Sequence, residues 1–323
     1  MKRNILITGG AGFIGSFLAE SLLQKGFSVT VLDNFSTGSR KNLDRAASLG
    51  DLTVAEGDIT CDANLAAELV KKSDAVYHLA AAVGVELVVN DPAHTISTNV
   101  RGAENILYPA AEYGKRIIVA STSEVYGKSS AAKFAETDDL HLGSPYFSRW
   151  SYACSKLLDE FLLMALCHSD GLQGTVVRFF NTVGPRQTGR YGMVMPRFVR
   201  SAIAGEPLKV YGSGTQSRCF CHVRDVVAAL TGLLDCPASI GNIYNIGSQE
   251  LISVRALAEK VIEICHSSSA IEMISYDDAY GKGFEDMLRR CPDTAKIEKL
   301  LGWRPTTKLD EIIRDIYDFE CSK

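Results

Sequence analysis

The sequence predicts an α/β fold, a doubly wound parallel sheet with a smaller mixed α/β C-terminal domain. Three observations predict it. Through the first two-thirds of the chain, short apolar runs alternate with helical patterns, which calls for a parallel sheet covered by helices on both faces. A glycine-rich turn joins the first run to the first helix. After about Phe180 the alternation breaks down and glycine and proline become frequent, at Gly184, Pro185, Gly189, Gly192, Gly205, Pro207, Gly212 and Gly214.

The first strand is expected at residues 4–7, a compact apolar run. Phe13, Ile14, Phe17, Leu18 and Leu22 then share one helical face. Further strands are expected at 27–32, 52–55, 75–80, 116–120 and 174–179, with helices between most of them, including 63–71 and 97–113. Right-handed crossovers turn such an alternation into a doubly wound sheet. Beyond it, Val254, Leu257, Val261 and Ile262 mark one helix, and Leu309, Ile312, Ile313 and Ile316 another. The expected division is a first domain over 1–178 and a second over 179–323, with the chain free to cross back between them. No repeat or low-complexity linker separates the two, so they are expected to pack tightly.

Composition narrows the function. Of 323 residues, 46% are hydrophobic and 22% charged, the balance of an ordinary globular protein. Net charge is -4, and the densest basic cluster, Ser39-Arg40-Lys41, is broken by Asp44, so no nucleic-acid footprint is present. An anionic ligand would need a local basic pocket. No stretch approaches the length of a membrane span. The first strand follows directly on Met1-Lys2-Arg3, which leaves no room for a secretory signal and makes a cytoplasmic location the expectation. Nine cysteines contain no CxxC pair, and Cys219 and Cys221 are poorly spaced for zinc, so free thiols and no metal are expected.

Residues 8–15 read Thr-Gly-Gly-Ala-Gly-Phe-Ile-Gly, so Gly10, Gly12 and Gly15 satisfy GxGxxG, and Gly9, Gly12 and Gly15 satisfy GxxGxxG. Alone such a motif is weak. Here it follows a strand and opens an amphipathic helix, the setting in which glycines let the backbone approach a pyrophosphate and the helix N-terminus supplies unpaired N–H groups. Asp33 ends the second strand 18 residues after Gly15. A carboxylate there accepts from ribose hydroxyls and repels a 2′-phosphate, so NAD is expected over NADP, a preference that nearby Arg40 and Lys41 temper. Asp58 follows the third strand, where it serves either the exocyclic amine of adenine or the N-cap of the next helix.

Tyr152 and Lys156 lie four apart on an expected helix and share a face. Of twelve tyrosines only Tyr152 has a lysine four residues on. A tyrosine is a poor base with an ordinary pKa of about 10; a lysine ammonium beside it and a positive nicotinamide ring would stabilise its phenolate. Ser121, Thr122, Ser123 and Glu124 directly follow a strand, at the end of the sheet where doubly wound folds bind ligands. A hydroxyl there can hydrogen-bond a reacting substrate hydroxyl. Glu124 has no use in simple hydride transfer, so it points either to proton transfer at a second carbon or to the capping of a helix start.

At these residues the chain resembles the extended short-chain dehydrogenase/reductases, the NAD-dependent epimerase/dehydratase family. The resemblance runs through TGGAGFIG, the GDI at 57–59, HLAA at 78–81, STSEVYG at 121–127, YACSK at 152–156, RFFNTVGPR at 178–186, VYGSGTQSRCF at 210–220 and LGWRP at 301–305. It implies a Rossmann domain, a tightly bound NAD and a nucleotide-sugar held by the C-terminal domain. It further implies NAD contacts from Gly9, Gly12, Phe13, Ile14, Gly15, Asp33, Asn34, Ser36, Gly38, Asp58, Ile59, Leu79, Ala80, Ala81 and Asn99, with Tyr152 and Lys156. Homodimers are usual in that family and are the expectation here. Within it, STSEVYG, RWSYACSK at 149–156, YGKGFED at 280–286 and RRCPD at 289–293 are similar to UDP-glucuronate decarboxylases, with UDP-apiose/UDP-xylose synthase and the aminoarabinose-pathway decarboxylase as relatives. This implies a catalytic set of Thr122, Glu124, Tyr152 and Lys156 with Ser123 beside it. Arg149 and Arg290 are expected to face the sugar, and Asn181 and Arg218 the pyrophosphate. Plant apiose-forming enzymes carry cysteines where this chain has Val83 and Ser123, which argues against ring contraction.

Three reactions share the oxidation of carbon 4. The ketone so formed acidifies carbon 5, after which a uronate loses CO₂, a 6-hydroxyl leaves as water, or the ketone turns over and is reduced on its other face. Glu124 argues against plain 4-epimerisation. The dTDP-glucose dehydratases carry an aspartate where Ser123 stands, whereas GDP-mannose dehydratases share Thr-Ser-Glu. Arg149, Arg186 and Arg290 suit a substrate carboxylate, or equally a diphosphate. The expectation is NAD-dependent decarboxylation of UDP-glucuronate to UDP-xylose or a UDP-4-keto-pentose. UDP-sugar 4-epimerisation is the alternative, followed by 4,6-dehydration. A non-catalytic dinucleotide sensor is disfavoured by the intact Tyr152 and Lys156.

Overall fold

The computed structural model describes residues 2–189, 193–280 and 285–323. The first part of the chain runs β1 (Asn4–Thr8), α1 (Phe13–Gln24), β2 (Ser28–Asp33), α2 (Asp44–Leu49), β3 (Leu52–Glu56), α3 (Ala63–Lys72), β4 (Ala75–His78), α4 (Val85–Asn90), α5 (Pro92–Glu112), β5 (Arg116–Thr122), α6 (Ser151–Ser169) and β6 (Gln173–Phe179). The rest runs β7 (Thr182–Val183), α7 (Val194–Ala204), β8 (Leu208–Tyr211), β9 (Ser217–Cys219), β10 (Cys221–His222), α8 (Val223–Leu234), β11 (Asn242–Ile246), β12 (Leu251–Ser253), α9 (Val254–Ile264), β13 (Ile271–Ile274), α10 (Tyr276–Tyr280), β14 (Arg289–Arg290), α11 (Ala295–Leu301) and α12 (Leu309–Cys321).

Seven parallel strands form the main sheet in the order β11-β6-β5-β4-β1-β2-β3. In β1 the fully buried Ile5 and Ile7 join the core on one face and Leu6 the core on the other, as the two-residue period of a strand requires. Leu18 and Leu22 of α1 with Val226 and Leu230 of α8 close the first face. Val70 of α3, Ile106 of α5 and Leu163 of α6 close the second. Each such aliphatic side chain contributes roughly 1.5–3 kcal/mol by leaving water. A further core joins Phe198 of α7, Leu257 and Val261 of α9, and Ile312, Ile313 and Ile316 of α12.

The chain crosses the expected boundary at 178/179 in both directions of packing. α8 lies on α1, and β11 pairs with β6 as the seventh strand of the main sheet. Several expected elements shift by a residue or two at their ends, and α5 by more. β4 stops at His78, although Leu79 N–H still donates to the Thr8 carbonyl at 3.1 Å and Ala80 N–H to the Thr8 hydroxyl at 3.3 Å. α5 starts at Pro92 rather than 97, because proline suits the first helical turn and the Asp91 carboxylate accepts from His94 N–H at 3.0 Å. All nine cysteines are free. Gly192 and residues 281–284 of the YGKGFED segment lie outside the described residues.

The strand order reverses between β1 and β4, and the loops at the carboxyl ends of β1, β4, β5 and β6 therefore border one crevice.

Candidate active site

That crevice is a cavity of about 750 Å³ lined by the turn after β1, the ends of β2 and β3, the stretch after β4, Thr122–Glu124, Tyr152 and Lys156, and, from the C-terminal part, Asn181, Arg186, Arg218 and Arg290. The expected residues absent from its wall are Gly38 and Asn99. A side chain at Gly38 would meet the Ala11 backbone at 2.9 Å. Asn99 stands behind the wall, accepting from Ala82 N–H at 2.8 Å and donating to Ser155 at 3.0 Å, so it ties the loop after β4 to α6.

The end of the cavity near β1 is built for a dinucleotide. A Cβ at Gly15 would lie 2.3 Å from the Gly9 carbonyl oxygen, and Gly9 itself takes φ +71 with Ala80 N 2.8 Å from a would-be Cβ. Gly12, the N-cap of α1, makes no side-chain capping bond, and no acid stands in the first turn, so the helix end is open to an anion. At the tip of β2, Asp33 accepts from Ala11 N–H and Phe35 N–H, both at 2.8 Å. Burial raises the Asp33 carboxyl against those two bonds, and each oxygen keeps a lone pair for a ribose hydroxyl. Arg40 is drawn off by the Glu56 carboxylate and stacks 4.4 Å from the Phe35 ring centroid, leaving it poorly placed to serve a 2′-phosphate. Asp58 does not cap α3. It accepts from Thr60 N–H at 2.8 Å and from Asn34 at 2.7 Å. Burial raises its carboxyl, but these bonds outweigh it and hold the group below the usual range. These residues fit NAD.

The other end gathers hydroxyl, carboxylate and guanidinium groups. Thr122 ends β5, and its hydroxyl accepts from Glu124 N–H at 3.2 Å, so Thr122 supplies the cap and the Glu124 side chain is free of that task. Instead the Glu124 carboxylate accepts from Arg149 at 2.7 Å and Arg290 at 3.3 Å. Burial pushes the carboxyl up, and the two guanidiniums more than reverse it, so Glu124 is held ionised. Ser123 faces Arg290 at 3.5 Å. Tyr152, in the first turn of α6, shares the cavity wall with Thr122. Its phenol is pushed well above the ordinary value by burial, with Glu124 and Asp159 acting in the same direction. The Lys156 ammonium, expected to favour the phenolate, is bound to the Asp159 carboxylate at 2.6 Å. His78 lies beside it, held neutral with a pKa of about 3 by burial and the Lys156 charge, and bonded to Thr8 at 2.8 Å.

The short parallel ladder of β9 and β14 sets Arg218 directly opposite Arg290. Between them and Arg149 stands Asp286, which accepts from Arg218 at 2.8 Å and from Tyr276 at 3.0 Å and faces Arg149 at 3.5 Å. Burial raises this carboxyl, and Arg218, Arg149 and Arg290 overcome it. Among the described residues, Arg149, Arg218 and Arg290 face two carboxylates, Glu124 and Asp286, three positive charges against two negative. Arg290 is the most perturbed of the three: burial first and then Arg218 lower its pKa to about 10, and among the described residues its buried Nε has no hydrogen-bond partner. Such a group is poised for an added anion.

Arg186 sits elsewhere than the sugar-side arginines. Its guanidinium spans Glu20 at 2.6 Å and Ser16 at 3.2 Å on α1, at the dinucleotide end of the cavity. Asn181 donates to the Cys219 carbonyl at 2.9 Å. Both hold left-handed backbone, φ 35 for Asn181 and φ 68 for Arg186, a strain that such walls commonly store. Sequence reasoning missed Asp286, Asp159 and Arg197, whose guanidinium lies 4.0 Å from the Tyr211 ring centroid in the cavity wall. Asp286 was in view only as part of a motif; nothing local marked it as the partner of distant arginines.

Residues 6–316 match the family model described as GDP-mannose 4,6 dehydratase. The chain is similar to a UDP-N-acetyl-alpha-D-glucosaminuronate decarboxylase of Bacillus cytotoxicus, 40% identical over 98% of this chain and 97% of the relative. It is also similar to UDP-glucuronic acid decarboxylase 1 of Xenopus tropicalis, 34% identical over 96% of this chain and 70% of the relative. Among solved structures it resembles the dTDP-glucose 4,6-dehydratase of Streptomyces venezuelae, seen with NAD and TYD bound, at TM-score 0.88 and 30% identity over 98% of this chain and 97% of that one.

Proposed function

Because the chain belongs to the GDP-mannose 4,6-dehydratase family, we propose that it is an NAD-dependent decarboxylase of a UDP-hexuronate, UDP-glucuronate in the first instance. The observation that carries this reading is the excess guanidinium charge around Glu124 and Asp286, within one wall of the cavity with Tyr152. A uronate carboxylate finds an arginine there, and the leaving 6-hydroxyl of a dehydratase substrate finds no uncharged acid, since Glu124 and Asp286 are both held ionised.

The turn of Gly9 to Gly15, Asp33 and Asp58 would hold NAD, which would supply the hydride chemistry at carbon 4. Tyr152 takes the proton of the 4-hydroxyl, and the Thr122 hydroxyl, on the same wall of the cavity, steadies the oxygen. The 4-keto uronate is a β-keto acid. The electrons of its C5–C6 bond pass into C5=C4–O⁻ as CO₂ leaves, and a proton returns to carbon 5. Glu124, pinned by Arg149 and Arg290, positions the groups on that side. Asn181 serves the diphosphate.

The decisive experiment is incubation with NAD and UDP-glucuronate, read by mass. Loss of one CO₂ is expected; an isomer of unchanged mass would make the protein a 4-epimerase. A second reading is favoured by the 40% identity with the Bacillus cytotoxicus protein, namely a 2-acetamido uronate as substrate, so both uronates belong in the assay. The homodimer is supported by apolar surface on adjacent helices, Leu158 and Phe161 of α6 at 50% and 65% exposure and Tyr108 of α5 at 52%. Light scattering that gives twice the chain mass is the expected result. Nine free thiols suit a reducing compartment, in keeping with the cytoplasm.

A further inference from the structure

Lys156 and Asp159 lie three apart on α6 and are among the most deeply buried charged side chains of the protein, 2% and 1% exposed. Their N–O distance is 2.6 Å. Lys156 reaches the cavity wall, while Asp159 does not line it and sits behind. The other charged and titratable groups nearby are already committed. Glu160, on the same helix, is bound to Arg178 of β6 at 2.7 Å and to Ser121 of β5. Glu124, after β5, is bound to Arg149 and to Arg290 of β14. His78 of β4 is neutral. Asp159 is therefore the carboxylate that Lys156 has.

A buried ion pair is often no more stable than apolar side chains of the same shape, so stability alone is a weak reason for this one. Its position suggests another. From the phenol of Tyr152, an ammonium and a carboxylate in contact act as a dipole rather than as a cation. We propose that Asp159 is a positioning residue for the Tyr152–Lys156 pair: its carboxylate fixes the Lys156 ammonium at the cavity wall and offsets its charge, so that Tyr152 receives only part of the stabilisation a lone lysine would give its phenolate. The phenol's upward displacement, to which Asp159 contributes, agrees with this. The reserve of charge on Lys156 is released in proportion to how far Asp159 is neutralised or displaced.

The inference rests on Tyr152 as the general base, and its test needs no substrate. Phenolate absorbance of the NAD complex is followed against pH, with the Tyr152→Phe protein as blank, so the outcome is independent of which sugar is used. Asp159→Asn removes the negative charge at constant size and is expected to move the Tyr152 titration down by about one pH unit or more. Asp159→Glu restores the charge and should return it toward the wild-type position. The double variant Lys156→Met, Asp159→Leu removes both charges without stranding either, and its titration is expected less than about one unit above wild type. A folded Asp159→Asn protein whose phenol titrates as in the wild type would overturn the proposal. Should Asp159→Asn not fold, the double variant decides: a titration displaced upward by more than about one unit would mean that the Lys156 charge was not offset. The acid limb of the kcat profile should follow the absorbance, to lower pH in Asp159→Asn.

Discussion

Replacing Glu124 by glutamine separates a chemical role from a structural one. The change keeps size and one carbonyl acceptor and removes the charge that Arg149 and Arg290 share at 2.7 and 3.3 Å. Removing one partner of a buried ion pair typically costs about 3–5 kcal/mol. Here Asp286 still faces Arg149, and the amide oxygen can keep one bond, so the loss should sit at the low end, near ~3 kcal/mol. If Glu124 also positions groups for proton return at carbon 5, turnover should fall by roughly 10²–10⁴, which corresponds to about 3–5.5 kcal/mol in the barrier. The assay is rapid mixing with UDP-glucuronate, reading reduced-cofactor absorbance alongside CO₂ release. Oxidation of carbon 4 should proceed while CO₂ release or later reduction lags, so the reduced cofactor accumulates. A protein that unfolds at lower temperature yet turns over at the wild-type rate would refute the reasoning, and leave Glu124 as a structural partner of two arginines.

Three further outcomes follow from the same geometry. Asp33→Ala removes the acceptor at the tip of β2 and should narrow the preference for NAD over NADP; equal affinities in the wild type, by titration calorimetry, would contradict the role of Asp33. Tyr152→Phe deletes only the phenol hydroxyl in the cavity wall and should leave NAD binding intact while turnover drops ~10²–10⁴-fold. His78 is held neutral with a folded pKa of about 3, depressed below its ordinary value by burial and by Lys156. The unfolded chain therefore binds the extra proton, and this share of stability is fully present above about pH 6.5 and lost as pH falls toward the folded value, at up to ~1.4 kcal/mol per pH unit. Denaturant unfolding between neutral pH and mild acid should show a shallower slope in His78→Asn than in the wild type, and equal slopes would mean that His78 is not buried as the neutral base.

What could be read from the sequence was whatever is encoded within about one turn or one crossover of chain. The turn at Gly9 to Gly15 is local, and so is the four-residue spacing of Tyr152 and Lys156; both stand where the sequence placed them, on one cavity. The strand at Asn242–Ile246 was not legible, because its asparagines break the apolar run, yet Asn245 is fully buried and bonded to Tyr126 at 2.8 Å and to the Phe134 carbonyl at 2.8 Å. Propensity could not see that tertiary partners would satisfy it. The arginine cluster escaped for a related reason. It is assembled by a two-residue strand, β14, laid parallel to β9 so that Arg290 meets Arg218, and by Asp286 beside it. Nothing in either segment announces a partner about seventy residues away. Arg186 shows the converse: its residue type suited the sugar, but Glu20 on α1 claims it. Asp159 lies between these cases. It is visible as a carboxylate three residues after Lys156, but a solvated acid on a helix face and a buried one bound to that lysine look alike in sequence. Only the packing of α6 against α5 and the sheet, which buries both side chains, gives that spacing its consequence. The chemistry of this site therefore depends less on which residues are present than on which charges the fold has already paired.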